Sequence, residues 1–218
     1  MDLWNHVVEI FGRPTGIPGK IAGLIMANRP SNLERNSWAL SLLKIQPTDR
    51  VLEVGFGPGV AIRRSSELAT KGMVWGIDHS VVMFRQAYKR NQKAIGQGRV
   101  KLFLGTTTNV PPMVGPIDKV FSVNVYQFWN SPEENLKELY SRMAPGGKIA
   151  VAYQPRTPGS KNSDAVKAGE AIARSLEQSG FENITVEKKD MKPVQTVCAL
   201  GTKPLSHEGR SGVAVLSL

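Results

Sequence analysis

Val51-Leu52-Glu53-Val54-Gly55-Phe56-Gly57-Pro58-Gly59 is the stretch that decides how this chain folds. Val51, Leu52 and Val54 form the short apolar run expected of a buried parallel strand, and three glycines at alternate positions follow at once. The strand therefore ends in a turn stripped of side chains, where a ligand approaches the backbone closely. Residues 60–69 have the pattern of a helix whose first amides face the same crevice.

The glycine spacing narrows the ligand. A dinucleotide fingerprint reads Gly-x-Gly-x-x-Gly, its third glycine packing helix on strand while the first helical turn receives a pyrophosphate. Here the order is Gly-x-Gly-x-Gly, and a carboxylate, Glu53, stands two residues ahead of it. A buried acid at that place repels a pyrophosphate and suits a cationic ligand. Residues 73–77 form a second apolar strand ending in Asp78, about twenty residues past the glycines, where doubly wound folds place an acid on ribose hydroxyls. Together these features resemble the first motif and its sequel in the class I S-adenosylmethionine methyltransferases, and the resemblance covers residues 51–201.

Length and composition fit one such domain. The 218 residues suffice for one full-sized core, and 41% hydrophobic with 21% charged residues are ordinary globular values. No apolar run approaches the roughly 18 residues that span a bilayer, and Asp2, His6 and Glu9 interrupt the first eleven positions, unlike a secretory signal. A cytoplasmic protein with no membrane span is expected. One cysteine, Cys198, rules out an internal disulfide, and the dispersed His6, His79 and His207 lack zinc-ligand spacing, so no metal is predicted. The net charge of +10 is the anomaly, since a basic bias is common in proteins that bind nucleic acid. Part of it lies in a helix over 80–95 carrying Arg85, Lys89, Arg90 and Lys93. It reads as a solvated face rather than a phosphate track, because Phe84 and Tyr88, four apart, are expected to share its buried side.

Taken in order, residues 1–47 read as helices. Ser31 with Glu34 has the spacing of a capping box and predicts a helix over 32–44, while Asn28, Asn32 and Asn36 recur at every fourth position. Further strands are expected over 100–104, 117–125 and 148–153, helices over 131–143 and 165–178, and a tight turn at 144–147. Segments 184–188 and 194–201, too close for a crossover helix, are expected to pair antiparallel. The fold class is α/β: a Rossmann-like, seven-stranded, mostly parallel sheet with its last strand antiparallel and an N-terminal helical extension. The expected domains are a helical lid over 1–47, a methyltransferase core over 48–203 and a tail over 204–218. Loops 106–116 and 155–162 follow strand ends and are candidates for contacting the acceptor, or plain surface loops.

The resemblance implies S-adenosyl-L-methionine as cofactor. It places Glu53, Gly55, Phe56, Gly57 and Gly59 around the methionyl part, Asp78 on the ribose hydroxyls, and His79 along the adenine. The acid that commonly follows the third strand in this family is replaced by Leu104-Gly105-Thr106, so adenine recognition falls to Thr106, Thr107, backbone groups or water. The stretch Ser122-Val123-Asn124-Val125-Tyr126-Gln127-Phe128-Trp129 resembles the segment that abuts the methyl group, giving Asn124 a cofactor contact and Tyr126 and Trp129 a substrate contact. Tyr126, too weakly acidic to be a base at neutral pH, is assigned orientation of the acceptor. The resemblance also implies that the N-terminal helices lie over the cofactor and shape the acceptor pocket.

The expected activity is methyl transfer to a small-molecule acceptor by in-line displacement. RNA methylation is the alternative, favoured by charge, although no Asn-Pro-Pro-Tyr or Asp-Pro-Pro-Tyr box is present. A third reading is a non-catalytic cofactor-binding module on the same fold. Cys198 lies within an expected strand, which argues against a cysteine nucleophile, and a single cysteine argues against arsenite methylation, whose family uses several thiols. A dehydrogenase is disfavoured by the glycine spacing. Specific nucleic-acid binding is not expected, and the oligomeric state is not legible.

Overall fold

The structure, a computed structural model, describes residues 29–110 and 115–205. The helices expected before residue 29, with Asn28, and the tail beyond residue 205 lie outside the described residues.

Among the described residues seven strands form one sheet in the order β3-β2-β1-β4-β5-β7-β6. They are β1 (Arg50–Val54), β2 (Met73–Asp78), β3 (Val100–Leu104), β4 (Ile117–Val123), β5 (Met143–Tyr153), β6 (Glu182–Lys189) and β7 (Thr196–Thr202). The first five pair in parallel, and β7 runs antiparallel to both β5 and β6. The helices are α1 (Pro30–Leu43), α2 (Val60–Leu68), α3 (Val81–Gly96), α4 (Pro132–Arg142) and α5 (Asn162–Gln178). This is the expected architecture, and the strand order reverses at β1 and β4, where open α/β sheets bind ligands.

Side-chain alternation divides the core into two layers. Val51, Val74, Phe121, Ala150 and Ala152 face one side with Leu40, Leu43 and Ile62 of α1 and α2, while Leu52, Trp75, Val120 and Val151 face the other with Leu136 of α4 and Ile172 of α5. By the same parity Glu53 in β1, Asp78 in β2 and Gln154 just past β5 project toward the α1–α2–α3 layer. That shared face carries the site.

Three local expectations are corrected. The helix before β1 starts at Pro30, not 32, with Arg29 as its N-cap and no side-chain capping bond, so Ser31 and Glu34 both lie inside the helix, Glu34 already past its first turn, rather than forming a capping box. A proline at the first position, with φ preset and no amide to satisfy, sets this start instead. The 144–147 turn is absorbed into β5 as a bulge between the pairs Ile117–Met143 and Lys119–Lys148, because Gly146 and Gly147 exchange backbone hydrogen bonds with Lys203 at 2.8 Å. Tyr88 is exposed: the buried stripe of α3 runs through Met83, Ala87, Asn91 and Ala94, and position 88 lies one helical step beyond it. Its ring instead stacks on Phe84, centroids 6.4 Å apart.

Candidate active site

Glu53 is the fourth residue of β1 and is 3% exposed. Its Oε2 atom is buried without a hydrogen-bond partner among the described residues. Burial, then the neighbouring negative charge of Asp78, pushes this carboxyl well above its ordinary range, opposed by the backbone amide of Ile62 at the start of α2. Asp78 closes β2. The amide of Gly57 donates to its Oδ2 and that of Ser80 to its Oδ1, both at 2.8 Å. Burial raises the Asp78 carboxyl too, against these two amides and His79.

The glycine turn is shaped by close approach. A Cβ on Gly55 would meet Val125 Cγ2 at 2.4 Å, so the turn lies directly against the segment leaving β4. Gly59 caps α2 at φ +76°, and a Cβ there would lie 2.6 Å from that of Ala87 on α3. Asn91 Nδ2 of α3 donates to the Gly59 carbonyl at 3.1 Å, and Arg90 Nη1 donates to that of Pro58. The turn is thus clamped between β2, α3 and the β4 exit.

A crest with two buried carboxylates, one oxygen unpartnered and the other acid retaining a lone pair on each oxygen, suits a ligand with a positive charge and a pair of hydroxyls. A pyrophosphate would meet repulsion there. S-adenosylmethionine has both required features, an ammonium beside a sulfonium and a ribose diol.

The other expected site residues distribute unevenly. His79 is exposed, with Nδ1 4.0 Å from Asp78 Oδ1, and stays at the crest. Phe56 turns its ring into the core against Phe84, which leaves only its backbone facing the turn. Thr106 is exposed and its hydroxyl lies 2.9 Å from that of Thr108, whereas Thr107 is buried and donates to Asn135 of α4, pinning the loop after β3. Asn124 adopts φ +56° and spends its amide on Gln154, with Oδ1 accepting the Gln154 amide at 2.9 Å and Nδ2 donating to its carbonyl at 3.3 Å. Its side chain therefore ties β4 to β5.

Tyr126 does not present its hydroxyl as expected. The hydroxyl lies 3.0 Å from that of Ser175 on α5, which donates to Glu133 on α4 at 2.7 Å. Trp129 meets the Tyr126 ring edge-on with centroids 5.8 Å apart, and both pack on the α4–α5 layer. Cys198 is fully buried in β7, and burial pushes its thiol up to about 12, so it carries no thiolate at neutral pH. Loop residues Pro155, Thr157 and Ser160 line an open depression of about 450 Å³ with Tyr153 and Asp164, on the layer opposite Glu53.

Sequence reasoning missed two residues. Gln154 is wholly buried, accepts from Arg35 Nη1 at 2.5 Å, and donates to the carbonyls of Lys192 and Val194 at 3.2 and 2.6 Å. Arg35 is itself 3% exposed. An arginine beside Glu34 on a helix reads as a surface residue, and only the docking of α1 on β5 buries it. A glutamine ending an apolar strand was the one available signal.

Fold and crest together define a class I S-adenosylmethionine-dependent methyltransferase. The pattern of the methyltransferase domain family matches residues 51–147. The chain is 34% identical over 184 residues to the uncharacterized methyltransferase YdaC of Bacillus subtilis (strain 168), covering 84% of this chain and 98% of that one, and it belongs to this family. It is 28% identical to the 18S rRNA (guanine(1575)-N(7))-methyltransferase of Saccharomyces cerevisiae, covering 78% of this chain and 62% of that protein. The fold superposes on Haemonchus contortus phosphoethanolamine N-methyltransferase 2 in complex with S-adenosyl-L-methionine at a TM-score of 0.70, with 16% identity, covering 90% of this chain and 59% of that one. The chain is an S-adenosylmethionine-dependent methyltransferase.

Proposed function

We propose that this methyltransferase acts on a small-molecule acceptor held between the exits of β4 and β5 and the N-terminal end of α1. The observation that carries the reading is the Arg35–Gln154–Asn124 chain of hydrogen bonds, which roofs the ends of those strands with α1 on the face where Glu53 and Asp78 project. Such a roof favours a compact acceptor over a base within a polymer.

When bound, S-adenosylmethionine supplies a methyl group already activated on a sulfonium, so the protein's task is positioning and exclusion of water. In this reading Glu53 and the glycine turn hold the cationic end. Asp78, itself fixed by the Gly57 and Ser80 amides, takes the ribose hydroxyls, with His79, Thr106 and Thr107 bordering the adenine. Val125 backs the turn, and Tyr126 and Trp129, whose rings pack on the α4–α5 layer, border the acceptor at the β4 exit from the side away from α1. With its hydroxyl engaged by Ser175, Tyr126 contributes shape rather than a hydrogen bond to the acceptor. The lid role of residues 1–47 and a cytoplasmic setting belong to the same proposal.

RNA methylation is the second reading. It draws on the rRNA-modifying relative and on exposed Tyr88, which sits among exposed Arg85 and Lys89 on α3 as a stacking platform among cations would. Labelled methyl transfer into small-molecule and RNA pools side by side separates the two. Label in the small-molecule pool is expected. Label in RNA that disappears when Arg85, Lys89 and Lys93 are neutralised would reverse the ranking, and cofactor binding without transfer to either pool would indicate a non-catalytic module.

A further inference from the structure

We propose that Arg29, Arg35 and Arg156, gathered where the N-terminal end of α1 meets the end of β5, bind an anionic group of the methyl acceptor, a carboxylate or a phosphate. The inference rests on the methyltransferase reading above and names the chemical class of its acceptor.

Arg35 is buried among neutral partners. Nη1 donates to Gln154 Oε1 and Nη2 donates to Asn32 Oδ1 at 2.9 Å, while Nε is buried with no partner among the described residues. Arg156, half-buried, has Nη2 3.4 Å from the Ser31 hydroxyl. Neither arginine forms an ion pair with a carboxylate of the described residues. Glu34, the acid nearest in sequence, faces Lys189 instead at 3.3 Å. Burial, followed by the positive charges of Arg156 and Arg29, brings Arg35 down to about 9, and burial with Arg29 lowers Arg156 as well.

Like charges withdrawn together from water are costly until a counter-ion joins them. The cluster also sits at the positive end of α1, whose N-cap Arg29 makes no side-chain capping bond. Guanidinium groups match the paired oxygens of carboxylates and phosphates, and on the Arg35 edge formed by Nε and Nη2 the Nε proton is unpartnered and Nη2 has a second proton beyond the one it gives to Asn32, which leaves that edge for such a ligand.

The placement relates the cluster to the chemistry. Gln154 shares the sheet face of Glu53, and β5 lies two strands from β1 by way of β4. At a strand spacing of about 4.8 Å the end of β5, where Arg35 meets Gln154, is set off from β1 across the sheet by roughly 10 Å, the scale of a small metabolite. Gln154 is held by Asn124 and by the carbonyls of Lys192 and Val194, so the Arg35 guanidinium is fixed in place. An acceptor gripped by its anionic end would present its other end to the methyl group.

The test is calorimetric titration of the full chain, with and without S-adenosylhomocysteine, using inorganic phosphate and malonate at constant ionic strength. Saturable binding of at least one is expected, and which of them binds distinguishes a phosphate from a carboxylate acceptor. Arg156→Gln combined with Arg29→Gln should weaken it by about tenfold or more while S-adenosylhomocysteine affinity stays within about twofold. Arg35→Lys, which keeps the charge and loses the fork, should also weaken it; because Arg35 is buried, the double variant serves as the test if this one does not fold. No saturable binding of either anion, with S-adenosylhomocysteine bound normally, would overturn the inference and leave the methyltransferase reading standing. Anion binding lost in the double variant, but without any cofactor binding, would support the anion site and count against that reading. Binding of a single-stranded oligonucleotide that is lost in the double variant and not displaced by either anion would overturn the small-acceptor inference in favour of an RNA backbone.

Discussion

The carboxylate of Asp78 holds the amide of Gly57 at 2.8 Å, tying the end of β2 to the middle of the glycine turn on β1. One acid thus shapes the turn and, in the proposed site, receives the ribose. Asp78→Ala should weaken S-adenosylhomocysteine binding by about 1–3 kcal/mol, the usual cost of losing a hydrogen bond to a charged group. Calorimetry on a variant with unchanged circular dichroism checks this, and unaltered affinity would remove Asp78 from the site.

Glu53 supplies a pH prediction. Its folded carboxyl lies well above the ordinary 4.5, so in the cofactor-free protein this group stabilises the fold fully below the unfolded value, and the contribution is lost as pH rises through the folded one. Glu53→Gln removes the titration. At pH above the folded value the cofactor-free variant should melt at a higher temperature than the parent, and S-adenosylhomocysteine should bind it more weakly. Melting curves against pH that run parallel for the two proteins would contradict the buried, raised acid.

Tyr126→Phe deletes the hydroxyl that meets Ser175 on α5. A stability loss of about 0.5–1.5 kcal/mol is expected in denaturant unfolding, with S-adenosylhomocysteine affinity unchanged. A variant as stable as the parent but with a raised acceptor KM would return the hydroxyl to the acceptor pocket.

Gly59→Ala tests the clamp on the turn. The added Cβ would lie 2.6 Å from Ala87 Cβ and 2.8 Å from its Cα, both held by α3, and the position has φ +76°. Destabilisation of about 1–3 kcal/mol is expected, together with weaker cofactor binding as α2 shifts from α3. Unfolding midpoints and calorimetry on the same variant read both effects.

The fold was legible where local pattern and sheet geometry coincide. The run from Val51 to Val54, the glycines and Asp78 each have one sensible place in a parallel αβ sheet, and they occupy it. Ends of elements were less legible because local signals do not settle them: the Ser31–Glu34 spacing pointed to a helix from 32, and the proline at 30 starts α1 two residues earlier. Side-chain direction past a strand end was legible least. Nothing local distinguishes a Tyr126 facing the acceptor from one reaching Ser175, 49 positions away, and nothing local buries Arg35 against Gln154, 119 positions away. The arginine cluster exists only after α1 docks, which is why a composition of +10 suggested RNA before it suggested an anionic acceptor.

The most direct measurement is a crystal structure of the full chain with S-adenosylhomocysteine. The ribose hydroxyls are expected within hydrogen-bond distance of Asp78, the amino-acid end at the Gly55–Gly59 turn beside Glu53, and the sulfur directed toward the exits of β4 and β5 under α1. Ligand density elsewhere, or a ribose away from Asp78 with the crest unchanged, would contradict the assignment.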